Sequence, residues 1–539
     1  MNRLETVTEC VSSIDGVTIT SAFVEDGGVI VGSVNISFLD SALEFEVRIL
    51  PAYPLQFHDS ESIKFVGKEL QEYNHVNDDG SICVHTHHST NLKEKLLFDF
   101  ASLKEWIEKY YVEGVKDAHY EHIVVPQNDN SVFLFTSIAY NFRSGEFGFF
   151  QYSNLAVGFK QEQKIETHIV QQFKIGKLSY DCCWSSAYRD MDKREGLFVF
   201  IEKAPTQNTR FAIENWQDLE PYVSQEFLKF LNMMSKKRYE EAAIPLLVGY
   251  RIPNDEIHWQ CVMIPTQNFP NYAEKIPGTT NYIGRLADEE MSWGSTRNCS
   301  PKYFFGRGSF TSEVTNSKVL IIGVGAIGSN VATTLVRGGC VNITLIDHDI
   351  KEPENVCRAE YTFSAGVNSK INELSLHLTQ ISPFVEISLS DQFMDVAKIT
   401  LNDSVWRETL LQKLGEYDLI FDCSTDNDVA YILDQLDRTE RIFTLSITNN
   451  AKELICAVPP KLYKWMIDIS HQLGGDSTDL HNPNGCWNPT FRASYNDIAV
   501  LVQFALKHIT TSIANNSTIR SFYLATSMED GFNIKLKEF

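Results

Sequence analysis

At 539 residues the chain is too long for one hydrophobic core, and roughly three or four domains are expected. Its apolar fraction of 43% and charged fraction of 22% are ordinary for a folded soluble protein. A net charge of −23 excludes a general nucleic-acid surface, and the absence of any run of about 18 apolar residues excludes a helical membrane span.

The start, "MNRLETVTEC", lacks the apolar centre of a secretion signal. The eleven cysteines are scattered and none forms a Cys-x-x-Cys pair, so neither a zinc knuckle nor a disulfide scaffold is expected. Reduced thiols in a cytoplasmic protein are the expectation. Residues 17 to 50 contain three apolar-rich runs, "VTITSAFV", "GVIVGSVNISF" and "ALEFEVRIL", joined by turn chemistry, which predicts an antiparallel meander. "PAYPL" breaks the pattern, and "SIKFVG" predicts a further short strand before an irregular polar stretch. From Leu92 to Tyr111 the apolar spacing is helical. Residues 126 to 305 predict one α+β domain. Its strands are expected within "SVFLFTSIAYNF", "FGFFQYSNL", "GLFVFIEKA", "AIPLLVGYRI" and "IHWQCVMIP", its helix within "DLEPYVSQEFLKFLNMMSKKRYEEA", and a loop-rich linker over Pro270 to Ser300. From Lys318 strand and helix alternate, the pattern of a parallel sheet.

"VLIIGVGAIGSNVATTLVRGGCVNITLIDHD" is a strand, a glycine turn, a helix and a second strand. Gly323 permits a tight turn, Gly325 lets backbone approach a phosphate, and Gly328 lets the helix meet the strand. Asp347 follows at the distance suited to a ribose hydroxyl. These residues alone fit NAD, ATP or an unliganded Rossmann sheet. The next segment supplies Asp349, Asn355, Arg358 and Lys370, and "YDLIFDCSTDN" ends a strand in Asp422 and Asp426. Cations for phosphate charge and a hard oxygen for a metal suit a triphosphate with magnesium better than hydride transfer.

This stretch resembles the Rossmann-like adenylation domain of ubiquitin-activating enzymes and their ThiF-type bacterial relatives, over residues 306 to about 510. The resemblance rests on Gly323, Gly325 and Gly328, Asp347 and Asp349, Asn355 and Arg358, Lys370, and Asp426-Asn427. It implies that Asp347 meets the ribose, Arg358 and Lys370 the phosphates, and Asp426 the magnesium. It also implies that Arg307 reaches into a partner protomer's site within a homodimer. Cys486 lies in the glycine-rich, polar "GGDSTDLHNPNGCWNPTF", a setting for an exposed nucleophilic thiol once an adenylating domain precedes it. Cys357, beside Arg358, is a lesser rival, while Cys340, Cys423 and Cys456 are read as packing residues.

Residues 1 to about 120 resemble a ubiquitin-conjugating domain. The strand meander, the Tyr53-Pro54 break and "HVNDDGSICVHTHHS" carry that resemblance. His75-Val76-Asn77 stands where that family has His-Pro-Asn, and Cys83 follows at a gap two residues shorter than in the eukaryotic enzymes. Asn77 would donate to the oxyanion of a thioester under attack, and His85, His87 or His88 would serve as base.

The combination resembles bacterial fusions encoded beside cGAS/DncV-like nucleotidyltransferases in anti-phage CBASS operons. The implied architecture is multidomain α/β: a conjugating-like domain over 1–125, a linker domain over 126–305, and a ThiF-like domain over 306–539. The implied reaction uses ATP and Mg2+ to adenylate the C-terminus of a nucleotidyltransferase or ubiquitin-like protein. A thioester on Cys486, transfer to Cys83 and conjugation to a target lysine would follow. The chain ends "NIKLKEF", without the small-residue tail of a modifier, so the carboxylate is expected from a partner. Alternatives are an adenylyltransferase serving a sulfur carrier, a non-catalytic Rossmann scaffold and an NAD-dependent oxidoreductase.

Overall fold

The computed structural model describes residues 2–57, 60–77, 79–84, 86–115, 130–160, 162–207, 210–252, 255–390, 402–435, 441–474, 492–529 and 531–539. The chain divides into two compact units. The first holds Met1–Phe135, Ala139–Asp181 and Lys193–Arg297, and the second holds Thr136–Ile138, Cys182–Asp192 and Asn298–Phe539.

The first unit begins with a helix, Arg3–Ser12, which was not anticipated from the sequence. Asn2 and Glu5 form a capping box that starts it. The predicted meander follows as strands Val17–Asp26, Val29–Phe38, Ser41–Ile49 and Ile63–Val66, antiparallel throughout. Gly27 and Gly28, both at positive φ, form the first tight turn. Helix Leu92–Trp106, capped by Asn91 and extended by a π turn over Ile107–Val112, places Leu96, Phe100 and Leu103 against Phe45, Val47 and Phe65 in one apolar cluster.

A second, eight-stranded sheet completes this unit. Strand Ser131–Phe135 pairs with Ser292–Asn298 and also with Gln163–Ile175, so the sheet closes on itself. Aromatic rings fill part of its buried interior: Phe173 stacks on Trp259 at 4.6 Å between centroids and meets Phe142 edge-on at 5.2 Å. Helix Gln225–Met234 packs Phe227, Leu228 and Leu231 into a separate cluster with Leu246, Val248 and Val262. That helix is shorter than the sequence suggested. The expected linker over 270–300 instead contains strands Asn271–Lys275, Tyr282–Leu286 and Ser292–Asn298. The first two form a largely exposed hairpin whose polar residues hid the strand signal.

The second unit is the expected Rossmann-like sheet. Strands Glu386–Ser390, Asn342–Ile346, Lys318–Ile322, Leu419–Asp422 and Ile442–Thr448 lie parallel in that spatial order. Strands Glu453–Ala457, Phe522–Ser527 and Asn533–Glu538 extend it antiparallel. Lys318–Ile322 alternates as a strand buried on both faces must. Val319 and Ile321 pack with helices Ala326–Arg337, Lys370–Ile381 and Tyr495–Ala514, whereas Leu320 and Ile322 pack with Asn427–Gln435 and Leu462–Leu473. The chain leaves this first strand toward Asn342–Ile346 on one side and later returns to Leu419–Asp422 on the other. The carboxyl ends of the three strands therefore flank a topological switch point.

The glycine turn at that point is sterically specified. Gly323 has φ +79°, and a Cβ there would stand 2.5 Å from the Ser424 Cα. A Cβ on Gly328 would stand 1.9 Å from the Gly323 carbonyl oxygen, whereas one on Gly325 would meet nothing within 4 Å. Gly328→Ala should therefore destabilise the second unit by about 2 kcal/mol or more, since the obstacle is backbone. A urea midpoint equal to that of the unsubstituted chain would refute the close packing of helix on strand.

Candidate functional site

The switch point opens into a cleft of about 430 Å3, lined by Gly323, Gly325, Asp347, Asp349, Asn355, Arg358 and Lys370 together with Ala326, Ser424 and Thr425. Ile327, Ile447 and Ile498 supply apolar wall. Seven of the residues expected from sequence thus line one space. Helix Ala326–Arg337 begins at its floor, with Gly325 as the extended N-cap residue. A helix's first amides have no acceptor within the helix, which makes this end a seat for an anion.

Asp347 is fixed by the backbone around it. Its Oδ2 accepts from the Val324 amide at 2.8 Å and its Oδ1 from the Asp349 amide at 2.8 Å. The carboxylate joins two strand ends and retains lone pairs for a further donor. Lys370, mostly buried at the start of helix Lys370–Ile381, pairs with Asp349 Oδ2 at 2.8 Å. Asn355 is held by its own turn, accepting from the Glu352 amide at 2.9 Å.

The sequence reading missed what secures the loop carrying these groups. Lys351 is 1% exposed. Its Nζ donates to the Thr362 carbonyl at 2.7 Å and pairs with Glu373 Oε2 at 2.9 Å. Glu373 Oε1 accepts from the Thr362 amide at 2.8 Å. Strand pairing of Ile350 and Lys351 with Ser369 and Asn368 closes the loop. Lysine in a polar stretch gives no sequence signal of burial; only an acid one helical turn into the next helix hints at a partner.

Asp422, at the end of its strand, is fully buried beneath the cleft. Burial pushes its carboxyl up to about 6, against hydrogen bonds from Ser424 and Thr444 that pull it down, while the neighbouring Asp426 charge adds to the rise. Ser424 Oγ donates to it at 2.6 Å and Thr444 Oγ1 at 3.1 Å. Asp426 and Asn427 do not line the cleft itself. Asp426 follows the lining residue Thr425, and its Oδ1 accepts from the Asp428 amide at 2.8 Å. Its Oδ2 accepts no hydrogen bond among the described residues, so this carboxylate fits a magnesium ligand. Gly328 likewise lies outside the lining, buried against the turn. Arg307 is exposed and does not line the cleft. Cys340, Cys423 and Cys456 are buried, and burial pushes all three thiols up, as packing residues require. Cys357 is exposed, its Sγ 3.1 Å from the Glu354 carbonyl. Cys486 lies outside the described residues.

The first unit carries a separate cleft of about 430 Å3, lined by Cys83 and Asn77 with Gln56, Glu61, Lys64, Asp79 and Ser81 among others. His75 precedes it with φ +62°, its ring 4.6 Å from that of Tyr110. The Cys83 amide donates to the His75 carbonyl at 2.7 Å and the Asn77 amide to Ser81 O at 2.9 Å, which pairs 75–77 with 81–83 as in a narrow hairpin. Asn77 Nδ2 donates to Ser81 Oγ at 2.9 Å. Asp79 is pushed up by burial but pulled down further, to about 2, by Lys64 and Ser81. Behind this hairpin lies a second buried ionic network that the sequence reading also missed. Lys95, 2% exposed, pairs with Glu61 at 2.7 Å and with Asp99, and Asp99 accepts from Tyr53 at 2.7 Å and from Thr86 at 2.6 Å. His87 and His88 are exposed, and His85 lies outside the described residues.

Residues 299–442 match the ThiF family. A curated relative, the ATP-dependent ubiquitin transferase-like protein Cap2 of Enterobacter hormaechei, is 26% identical over 389 residues, 66% of this chain and 62% of its own. The chain thus matches less than two thirds of that relative's length. The molybdopterin-synthase adenylyltransferase of Haemophilus influenzae is 32% identical over 123 residues, 23% of this chain and 45% of its own. The solved structure of E. coli MccB with ATP matches 42% of this chain and 64% of its own at 18% identity, with a TM-score of 0.31, too low to bear on the site.

Two outcomes test the buried groups. Lys351→Met should cost about 3–5 kcal/mol in the second unit, because it strands the Glu373 carboxylate, and the double variant with Glu373→Leu should recover most of that in urea denaturation. For Asp422 the folded-state value lies above the usual 3.8, so its contribution is fully present below about pH 4 and lost as pH rises through about 6. Asp422→Asn should therefore gain on the unsubstituted chain across that window, by up to about 3 kcal/mol at roughly 1.4 per pH unit. Parallel stability curves would rule out a buried ionising Asp422. The chain carries a ThiF-type adenylation fold in its second unit and, over most of its length, resembles a ubiquitin transferase-like protein of the Cap2 kind.

Proposed function

We propose that this protein uses ATP to activate the C-terminal carboxylate of a partner protein and conveys the acyl group through two thiols to an amine. The observation that carries the reading is one cleft at a switch point that gathers Gly325, Asp347, Asn355, Arg358 and Lys370 beside a helix N-terminus. In this reading Asp347 accepts from the ribose, while Arg358, Lys370 and the helix amides take up phosphate charge. Asp426 would hold magnesium, which would supply positive charge against the triphosphate.

The partner's carboxylate oxygen attacks the α-phosphorus. The bond to the β-phosphate oxygen breaks and pyrophosphate leaves. The Cys486 thiolate then attacks the acyl carbon and AMP departs. Cys83 takes the acyl group by thioester exchange. A lysine amine attacks that thioester, Asn77 donates to the oxyanion, and the Cys83 thiolate leaves as the amine's proton passes to a base or to water. Carrying both thiols on one chain raises their effective concentration, so the exchange is intramolecular.

The partner class follows from resemblance: a cGAS/DncV-like nucleotidyltransferase, or a ubiquitin-like protein, with a role in anti-phage defence. A homodimer in which Arg307 reaches the partner protomer's cleft belongs to the same reading, as do a cytoplasmic setting and the domain limits near 125 and 305. A second reading is an adenylyltransferase whose first unit serves only for docking. It is favoured by the 32% identity over 123 residues to a molybdopterin-synthase adenylyltransferase.

With ATP, magnesium and the carboxylate partner, Cys486→Ala should retain pyrophosphate exchange yet give no thioester. Cys83→Ala should accumulate the first thioester without conjugate on a non-reducing gel. Arg358→Ala should lower pyrophosphate exchange by about a hundredfold, as loss of a phosphate-directed cation does. Conjugation that survives Cys486→Ala would remove that residue from the path, and full activity in Cys83→Ala would favour the docking reading.

A further inference from the structure

We infer that Arg210, which belongs to the eight-stranded sheet's part of the first unit, is a positioning residue for the Cys83 site. The inference rests on the reading of Cys83 as a thioester carrier. Arg210 stands in a loop closed by the Thr206–Ala212 bridge and by the Ile213 amide donating to Pro205 O at 3.0 Å. Ala212 and Ile213 are buried in the core of that larger sheet, so the loop's base is rigidly held. Arg210 itself is 3% exposed, unusual for a residue in a loop.

Its guanidinium is spent on another segment's backbone. Nη1 donates to the Tyr73 carbonyl and, at 3.1 Å, to the Val76 carbonyl. One nitrogen with two N–H groups thus serves two acceptors three residues apart. Between them, the Asn74 carbonyl accepts from Trp106 Nε1 at 2.9 Å and the His75 carbonyl from the Cys83 amide at 2.7 Å. Every carbonyl from 73 to 76 is therefore engaged, around a His75 held at φ +62°, a conformation that L residues adopt only when surroundings impose it. The Val76 carbonyl belongs to the peptide plane that enters Asn77. Holding that plane sets the direction from which Asn77 departs into the cleft it shares with Cys83.

The consequence is a division of labour within the first unit. The smaller sheet supplies the thiol and the oxyanion donor, and the larger sheet supplies the cation that keeps the turn between them in its productive form. Charge-assisted donation to carbonyls suits the task, since it is stronger than a neutral hydrogen bond and points in fixed directions.

The test uses the full chain and a short peptide thioester of mercaptoethanesulfonate as acyl donor to Cys83, with free lysine as acceptor and Cys83→Ala as background. Arg210→Met should slow lysine-dependent release at least about tenfold with little change in the lysine KM, as misplacing a catalytic group does. It should speed amide hydrogen exchange in peptides spanning 73–83, and pyrophosphate exchange should stay within about twofold of the unsubstituted chain. Arg210→Lys, which keeps the charge on a shorter and less directional side chain, should recover part of the release rate. Unchanged release in Arg210→Met overturns the inference. So does a uniform loss of exchange protection across the first unit without rescue by lysine, which would mark a general structural role. Failure of the unsubstituted chain to pass the acyl group from Cys83 to lysine would instead refute the thioester reading, and the positioning role would fall with it.

Discussion

The buried pair of Lys351 with Glu373 is the constraint on which the cleft at the switch point depends. Two of the polar groups that line the cleft, Asn355 and Arg358, lie on a segment with little regular structure, only short 3-10 turns and a two-residue strand pairing, and a third, Lys370, opens the helix that follows it. Such a segment would ordinarily fluctuate on the surface. Here one end is tied by Asp347 to the glycine turn, and the middle is tied by Lys351 and Glu373 to Thr362 and to helix Lys370–Ile381. A buried ion pair is a weak source of net stability, because desolvation offsets much of its attraction. Its value here is directional: breaking either partner leaves a charge without solvent, so alternative loop positions are strongly disfavoured.

The same solution recurs at Cys83. The hairpin that bears it is short and polar, and cannot be fixed by apolar packing alone. Lys95, Glu61 and Asp99 lie behind it as a second buried ionic network, reaching Thr86 just beyond the thiol and Tyr53 just before the cleft. Burial and the Asp99 carboxylate push the Tyr53 phenol up, so it remains a donor to Asp99 throughout the ordinary pH range. Arg210 restrains the turn through hydrogen bonds to the Tyr73 and Val76 carbonyls. In both units residues that line the clefts sit on irregular backbone, and buried cations hold that backbone.

This explains which parts were legible in the sequence. The glycine turn was, because Gly323 and Gly328 each meet a local steric demand that only glycine satisfies, and Gly325 completes the spacing between them. Asp347, Asp349, Asn355, Arg358 and Lys370 were, because their spacing follows the strand and loop that carry them. The meander was, because alternation of apolar and polar residues survives even in short strands. Lys351, Lys95 and Arg210 were not, since a cation's burial depends on partners that tertiary structure brings to it. Arg210 is the extreme case, 134 residues from Val76 in the chain. Strands Asn271–Lys275 and Tyr282–Leu286 were missed for a related reason: the first is almost wholly exposed and the second is fully buried only at Leu286, so neither shows alternation. The helix Arg3–Ser12 did leave a signal, the Asn2–Glu5 capping box, which was overlooked beside the search for a signal sequence.

The charge balance of the nucleotide cleft carries the argument one step further. The chain bears a net charge of −23, and Asp347, Asp349, Asp422 and Asp426 all cluster at the strand ends where phosphate would bind. An anion would be repelled if those carboxylates stood free. Instead Asp347 is occupied by two amides, Asp349 by Lys370, and Asp422 is buried beneath the floor with Ser424 and Thr444 as donors, while Asp426 lies beyond the residues that line the cleft. Entry of a triphosphate would then exchange one partner of Lys370 for another, without exposing an unpaired buried charge at any stage. The displaced Asp349 is half-exposed and returns to water at little cost. A cleft arranged this way would take up phosphate by exchange of partners rather than by a standing excess of positive charge, which is compatible with the acidic protein around it.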